Sequence, residues 1–393
     1  MRALSLPELW IIIASYIGLV GAWRLTGVCK AAREGAKRWL RTLPGLVVSG
    51  GCVRFRDYLS DVWRLDMESL QWERLPSLTD RRGSHVCCAV RGGVVVLGGQ
   101  LSSEVVDFSG QVPSVEMMMA HIQEFGPLGE SSASVEILGH NSAGSQVEGN
   151  TFRVLPPLSC GRVCRPVAVE IDESESDQGQ VLLLGGKYPD NTPSPTVLKV
   201  DLATGQCTAQ PPLLSPQGHL VDAYSAARLP NGRIVCVGVS FPIPSDEGVD
   251  DDAEIFMAQI LEPPPHGSPK GAGWQWRWLP KGLTFGRLGG GGCTLSDGRF
   301  AVFGGVDPST QRGASTCEAL TLSADGDRWE MLPRMHEGRR YFACVAIGRC
   351  VVVAGGQSSM TAEVYEESMG RWRRLPCSLP HDGPLFCVAS ALM

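Results

Sequence analysis

The side chains in this chain best suited to gripping a charged partner are arginines that recur at one place. Arg82, Arg287 and Arg339 each stand 16 or 17 residues ahead of a glycine pair, namely Gly98-Gly99, Gly304-Gly305 and Gly355-Gly356. Arg81 and Arg340 flank two of them. Arg162 or Arg165 occupies the corresponding stretch before Gly185-Gly186, once the acidic insertion Asp172–Gly179 is allowed for. A guanidinium offers a rigid fork of donors that can hold a carboxylate through two parallel hydrogen bonds, so the set suits an acidic ligand. The same fork can instead brace the fold by binding backbone carbonyls. Spacing alone leaves both uses open.

Other chemistry is thinly supplied. The 7 histidines (His85, His121, His140, His219, His266, His336, His381) show no paired spacing, so no metal site is expected from them. Cys160 and Cys164 are the close pair that would suit a metal, but no second pair or histidine partner stands at zinc-like spacing. Most of the 14 cysteines, such as Cys236, Cys344, Cys350 and Cys387, lie in or beside apolar runs and read as reduced thiols of an intracellular protein. No Gly-x-Ser-x-Gly elbow, His-Glu-x-x-His pair or phosphate-cradling loop occurs. Gly289–Gly292 opens an apolar strand where a phosphate site needs a helix N-terminus. The expectation is a protein without catalytic residues or cofactor. A net charge of −6 also argues against a nucleic-acid surface.

The elements that must position these residues are repeats. One phrase, an aromatic residue, two variable positions and Leu-Pro, appears at Trp72–Pro76, Phe152–Pro156, Trp276–Pro280, Trp329–Pro333 and Trp372–Pro376, with a degraded copy at Cys207–Pro211. Each follows an apolar run ending in a glycine pair: Leu46–Gly51, Val94–Gly99, Val181–Gly186, a degenerate Ile234–Val239, Phe300–Gly305 and Val351–Gly356. The spacing is 48 residues from Gly51 to Gly99 and 51 from Gly305 to Gly356, with longer steps where loops are inserted. Units near fifty residues are the size of four-stranded propeller blades. Within a unit the glycines permit unusual φ, the aromatic ring buries area between blades, and the Pro ends the fourth strand. Phe386–Leu392 is an apolar strand without a glycine pair, and would complete blade one beside Leu46–Gly51, so the ring has no open edge. In blade two, either Ser103–Phe108 or Ser134–Leu138 fits the third strand. The insertions of blade two (between Gln100 and Phe152), blade three (Asp172–Gly179) and blade four (Asp246–Asp252 and Glu262–Lys270) read as solvated or partly disordered loops.

The N-terminus is different in kind. Ser5 and Glu8 form a capping box with Pro7 in the first turn, and Leu9, Ile12, Ile13, Tyr16 and Ile17 make one apolar helical face. Gly18 and Gly21 break that helix. A second pattern follows, with Leu25, Val28, Cys29, Ala32 and Ala36 on one face, and Pro44 stops it. The apolar stretch Trp10–Trp23 also admits a signal peptide or a membrane segment, but it is short for a span, and Pro7 and Glu8 sit where a signal's apolar segment would begin.

Two family resemblances follow from these residues. Leu6-Pro7-Glu8-Leu9, Ile13, Tyr16-Ile17, Arg24-Leu25, Val28-Cys29-Lys30 and Arg33 resemble an F-box, although Gly18–Trp23 is apolar where that family has a polar turn. The repeats over residues 45–393 resemble the kelch family. Together they imply a mainly β protein: a six-bladed kelch-type β-propeller (45–393, closed by strand 386–392) behind a short α-helical F-box-like module (1–44). The F-box resemblance implies that Leu6, Pro7, Leu9, Ile13, Ile17, Leu25 and Val28 dock a Skp1-type adaptor of a cullin ubiquitin ligase. The kelch resemblance implies that Arg82, Arg162, Arg287 and Arg339 line a face that holds a protein or peptide target, acidic in character. The expected setting is cytoplasmic or nuclear, with no membrane role. Two other readings remain: a kelch scaffold whose helices pack on the propeller or at a membrane, and a secreted copper oxidase with Tyr and His ligands at the channel.

Overall fold

The computed structural model describes the chain apart from residues 1–5, 55–56, 92, 102–130, 140–150, 172–178, 189–191, 243–254, 263–272, 280–281, 309 and 324–325. Ser5, the Ser103–Phe108 strand candidate and most of the three insertions therefore lie outside the described residues. Six four-stranded antiparallel sheets follow one another along the chain. Blade six is representative: Ala343–Ile347, Cys350–Ala354, Thr361–Glu366 and Arg371–Ser378 pair in chain order. The second strand of each blade reads as an unbroken apolar run because it is covered on both faces; Cys350–Ala354 and Phe300–Phe303 are wholly buried. The third strand of blade two is Val135–Gly139.

The repeated phrase interlocks neighbouring blades. Trp372 of blade six donates its indole N–H to the carbonyl of Pro333 in blade five at 2.9 Å, and Trp276 of blade four donates to Pro211 of blade three at 2.9 Å. The aromatic residue of one copy thus caps the Pro of the copy before it. In blade six the fourth strand runs on past Pro376 to Ser378, which an outer edge strand tolerates.

The glycine pairs couple blades in the other direction. Gly355 and Gly356 have φ of 70° and 116°, which a side chain would strain. This turn frees the second amide for the next blade. Gly51 donates to Arg82 O, Gly99 to Val163 O, Gly305 to Arg339 O and Gly356 to Leu385 O. Blade four, whose run is degenerate, has no such turn; its strands His219–Arg228 and Ile234–Pro242 stay paired through a bulge between Ala223 and Ser225.

Closure is made by Ala389–Leu392, which pairs antiparallel with Leu46–Ser49 to give blade one its inner strand. Two helices sit over this joint, α1 (Pro7–Leu25) and α2 (Lys30–Leu40). Inside α1 only Gly18 leaves helical geometry, at φ 78° and ψ −174°; Gly21 does not. The break releases the Leu19 amide, which donates to Gly348 O of blade six at 2.9 Å. Trp23 donates to Met67 O of blade one at 2.7 Å, Arg24 pairs with Glu366, and Lys37 and Arg41 pair with Glu68. Leu19, Val20, Ala22, Ala36 and Leu40 share one core with Ile347, Cys350 and Met67. Cys29, which the helical pattern places within α2, is instead its N-cap, its sulfur accepting from Ala32 N at 3.4 Å.

Candidate functional site

The recurring arginines are inside the protein. Arg82, Arg287 and Arg339 are 0%, 0% and 1% exposed. Their guanidiniums pair with Glu136 at 2.5 Å, Glu318 at 2.6 Å and Glu363 at 2.9 Å, carboxylates that are equally buried. Each arginine also binds a carbonyl of its own blade's glycine pair: Gly98 at 3.1 Å, Gly304 at 3.2 Å and Gly355 at 2.9 Å. Each glutamate in turn accepts from amides of the segment entering the blade, Thr79 for Glu136, Thr284 and Phe285 for Glu318, and His336 and Glu337 for Glu363. The set is an internal staple that ties entry segment, glycine turn and third strand together. This corrects the expectation of a ligand-holding face, because the guanidiniums are buried and their terminal nitrogens are turned onto partners of the blade, while Nε of Arg82 and of Arg339 is buried without a partner among the described residues.

Arg162 does not belong to the set. The amide of Gly99 meets Val163 O where Gly51 and Gly305 meet the staple arginines, so Val163 is the equivalent position and exposed Arg162 is one residue out of register. Blade three correspondingly has Leu198 where a glutamate would stand. In blade four Gln259 takes that place and binds both N–H and C=O of Leu214.

What the propeller does present is its central channel. Ser84, Arg165, Gly289, Tyr341 and Cys387, from blades two, three, five, six and one, open the inner strands, with φ of 53°, 52°, 68°, 55° and 54°. Four of the five are not glycine, and left-handed backbone at such residues is uncommon and concentrates at functional sites. The ring is stitched across blades: Ser84 N donates to Cys387 O at 3.1 Å, Arg165 N to Ser84 O at 2.9 Å, and Tyr341 N to Gly289 O at 2.9 Å. These residues line a cavity of about 270 Å³ with Asp222, His85 and Tyr224.

The channel's electrostatics are mixed. Burial works against the Arg165 charge, yet Cys387, Tyr341, Cys164 and Asp222 more than offset it and hold the guanidinium above its ordinary pKa. Asp222 is ion-paired to Lys187 at 2.8 Å. Burial, with the Arg82 charge second, pushes His85 down to about 3, so this ring is neutral. Its Nε2 meets Ser49 Oγ at 2.9 Å, while Nδ1, like Tyr224 Oη, is buried with no partner among the described residues. Cys160 and Cys164, weighed above as a metal pair, are parted: the Cys160 sulfur lies 3.0 Å from that of Cys207, and buried Cys164 lies beside Arg165.

Comparison with known proteins fits this geometry. Blade one carries a Kelch motif. The match spans residues 46–79, from the central strand of that blade past its Trp-x-x-Leu-Pro phrase. That one motif sits in a ring of six four-stranded blades, a six-bladed β-propeller. Among solved structures it is similar to one described as "Structure of YjhT", with a TM-score of 0.50 and 13% identity over 73% of this chain and 81% of that one. At that identity the likeness concerns the fold. No curated protein matches the chain.

The second surface belongs to the helices that lean on the propeller. Of the expected adaptor-binding residues, Leu6, Ile17 and Val28 are exposed, Pro7, Leu9 and Ile13 are half-buried, and Leu25 packs against the shared core. Ile12 and Tyr16, 65% and 78% exposed, widen the apolar face beyond the expected set. By length and mean hydropathy (1.4) α1 would also pass for a membrane span, but it is bent at Gly18 and its second half is buried on blades one and six.

Proposed function

We propose that the protein is a non-catalytic receptor: its helical face docks a Skp1-type adaptor of a cullin ubiquitin ligase, and its propeller holds the protein to be modified. The observation that carries this is the division of α1. Beyond Gly18 the helix is sealed onto the propeller, whereas Ile12, Tyr16 and Ile17 stand in solvent with Leu6 and Val28. A helix serving only as a packing element gains nothing from that exposed apolar surface, and such patches mark interaction sites. On the propeller side, the channel mouth around Arg165 suits a target segment bearing a carboxylate. In this reading the protein works in the cytoplasm or nucleus, where its 14 free cysteines stay reduced.

The second reading, a kelch scaffold without a ubiquitin role, is favoured by the burial of Leu19, Val20 and Ala22 on the propeller. Co-purification with a Skp1-type adaptor separates the two. Wild type is compared with an Ile12→Asp, Ile17→Asp double variant, which spares the buried half of α1. A complex with wild type that the double variant loses supports the receptor; no complex from a well-folded chain leaves the scaffold.

A further inference from the structure

We propose that Cys160 and Cys207 form a reversible disulfide, a redox-modification site on the surface at the seam between blades two and three. Their sulfurs lie 3.0 Å apart, although the residues are 47 positions apart in the chain. A disulfide holds its sulfurs at about 2.05 Å, so bonding requires these two to close by roughly 1 Å. The backbones already hold the pair in place. Ser159 N donates to Gly205 O at 2.9 Å, and Cys207 N donates to Ser159 Oγ at 2.8 Å, which ties the residue before Cys160 to the turn before Cys207. Gly205, at φ 72°, packs so tightly on the Pro157 carbonyl that a Cβ there would collide with it. Cys160 is exposed and Cys207 partly so, which leaves the pair open to small solutes.

Its place in the fold gives the pair a mechanical role. Cys207 occupies the position that an aromatic residue holds in every other copy of the repeated phrase. At the seams where Trp276 and Trp372 stand there, the indole N–H reaches back to the Pro of the copy before. Cys207 cannot make that bond and instead meets Cys160, which follows Pro156 of the copy before. A disulfide would replace the missing indole clasp by a covalent one. The segment it secures is bonded to blade two through Gly99 N to Val163 O and Val163 N to Ser132 O, both 3.0 Å, and runs on to Arg165 at the channel. Joining that segment to Cys207–Gln210, the fourth strand of blade three, fastens the two blades together.

The oxidant is a small disulfide such as oxidised glutathione. Burial first, and then Cys207, raise the Cys160 pKa, so Cys160 keeps its proton while Cys207 leads. The Cys207 thiolate attacks one glutathione sulfur, the glutathione S–S bond breaks, and one glutathione leaves as a thiolate and takes a proton from water. Cys160 then gives up its proton and attacks the Cys207 sulfur of the mixed disulfide, releasing the second glutathione. The two cysteines lose two electrons, and one glutathione disulfide gains them to become two thiols. The fold holds the sulfurs together and the unfolded chain does not, so the bond is favoured in the folded protein by roughly tenfold or more. The thermodynamic cycle is reciprocal: oxidation raises the folding equilibrium constant by the same factor.

The test equilibrates the full chain in graded glutathione redox buffers, with and without denaturing urea, alkylates the remaining thiols and maps linked peptides by mass. The expected result is a Cys160–Cys207 link in the folded chain that dithiothreitol reverses. Its reduction potential is expected to lie at least about 30 mV below that of the same link in urea, which is tenfold in the equilibrium constant. The urea midpoint of the oxidised protein exceeds that of the reduced one, and the difference vanishes in Cys160→Ser, a change at an exposed position, and in Cys207→Ser. Both cysteines still alkylated in the most oxidising buffer overturns the proposal. So does a glutathione adduct that never resolves, a link between two molecules, or equal potentials with and without urea.

Discussion

Trp372 Nε1 and Pro333 O, 2.9 Å apart, join blade six to blade five through two copies of one phrase, and Trp276 and Pro211 repeat the arrangement between blades four and three. The equivalent Trp72 Nε1 of blade one is buried without a partner among the described residues. Replacing Trp372 or Trp276 by Phe keeps most of the ring and loses the bond, at about 1 kcal/mol each. Trp72→Phe costs no hydrogen bond and is expected near neutral. Urea midpoints of the three variants check this, and equal losses in all three would refute it.

The buried staples make a sharper prediction. Arg339→Met takes the guanidinium from beside buried Glu363, leaving it only the contacts of His336 and Glu337, and is expected to cost about 3–5 kcal/mol. The double variant Arg339→Met, Glu363→Met removes both charges and recovers most of that loss. A denaturant-based double-mutant cycle measures the coupling.

Gly18→Ala tests how the helices are attached. Its Cβ would lie 2.7 Å from Gly348 O, at a φ of 78° that alone costs roughly 1–2 kcal/mol. The expected result is local: faster amide exchange across residues 7–25, with exchange in Val351–Ala354 unchanged. Faster exchange in both segments, or in neither, would show that the kink does not govern docking.

His85 gives a pH signature. Its folded pKa, about 3, is depressed below the ordinary 6.5. The unfolded chain therefore takes up a proton at this ring below about pH 6.5 while the folded protein refuses it until about pH 3. Stability from this group is full above pH 6.5 and drains away as pH falls through that window, by about 1.4 kcal/mol per pH unit. Chemical denaturation at pH 7, 5 and 4 is expected to show a steeper decline for wild type than for His85→Gln.

The blades were legible because their phrase combines residues with separate mechanical duties: aromatic ring, Leu, Pro and glycine pair. The staples were half-legible. The arginine spacing was visible, but its meaning required the partners Glu136, Glu318 and Glu363. A signal for them existed, since blades two, five and six carry both Arg and Glu, while blades one and three carry neither, having Leu385 with Trp63 and Val163 with Leu198. Arg162 misled because an acidic insertion blurred the register by one residue. The channel ring could not be read at all. Ser84, Arg165, Gly289, Tyr341 and Cys387 share a backbone conformation, not a side-chain type, and residue identity does not report it.

Closure by Ala389–Leu392 also sets a timetable for synthesis. Leu46–Ser49 leaves the ribosome some 340 residues before its inner partner exists, counting from Ser49 to Ala389. At roughly 5–20 residues per second, that strand waits on the order of tens of seconds with one edge unpaired. For that interval the nascent chain carries a sticky apolar edge, which makes it a client for chaperones and a hazard for neighbouring chains on the same messenger. A stop codon ahead of Ala389 would make the wait permanent.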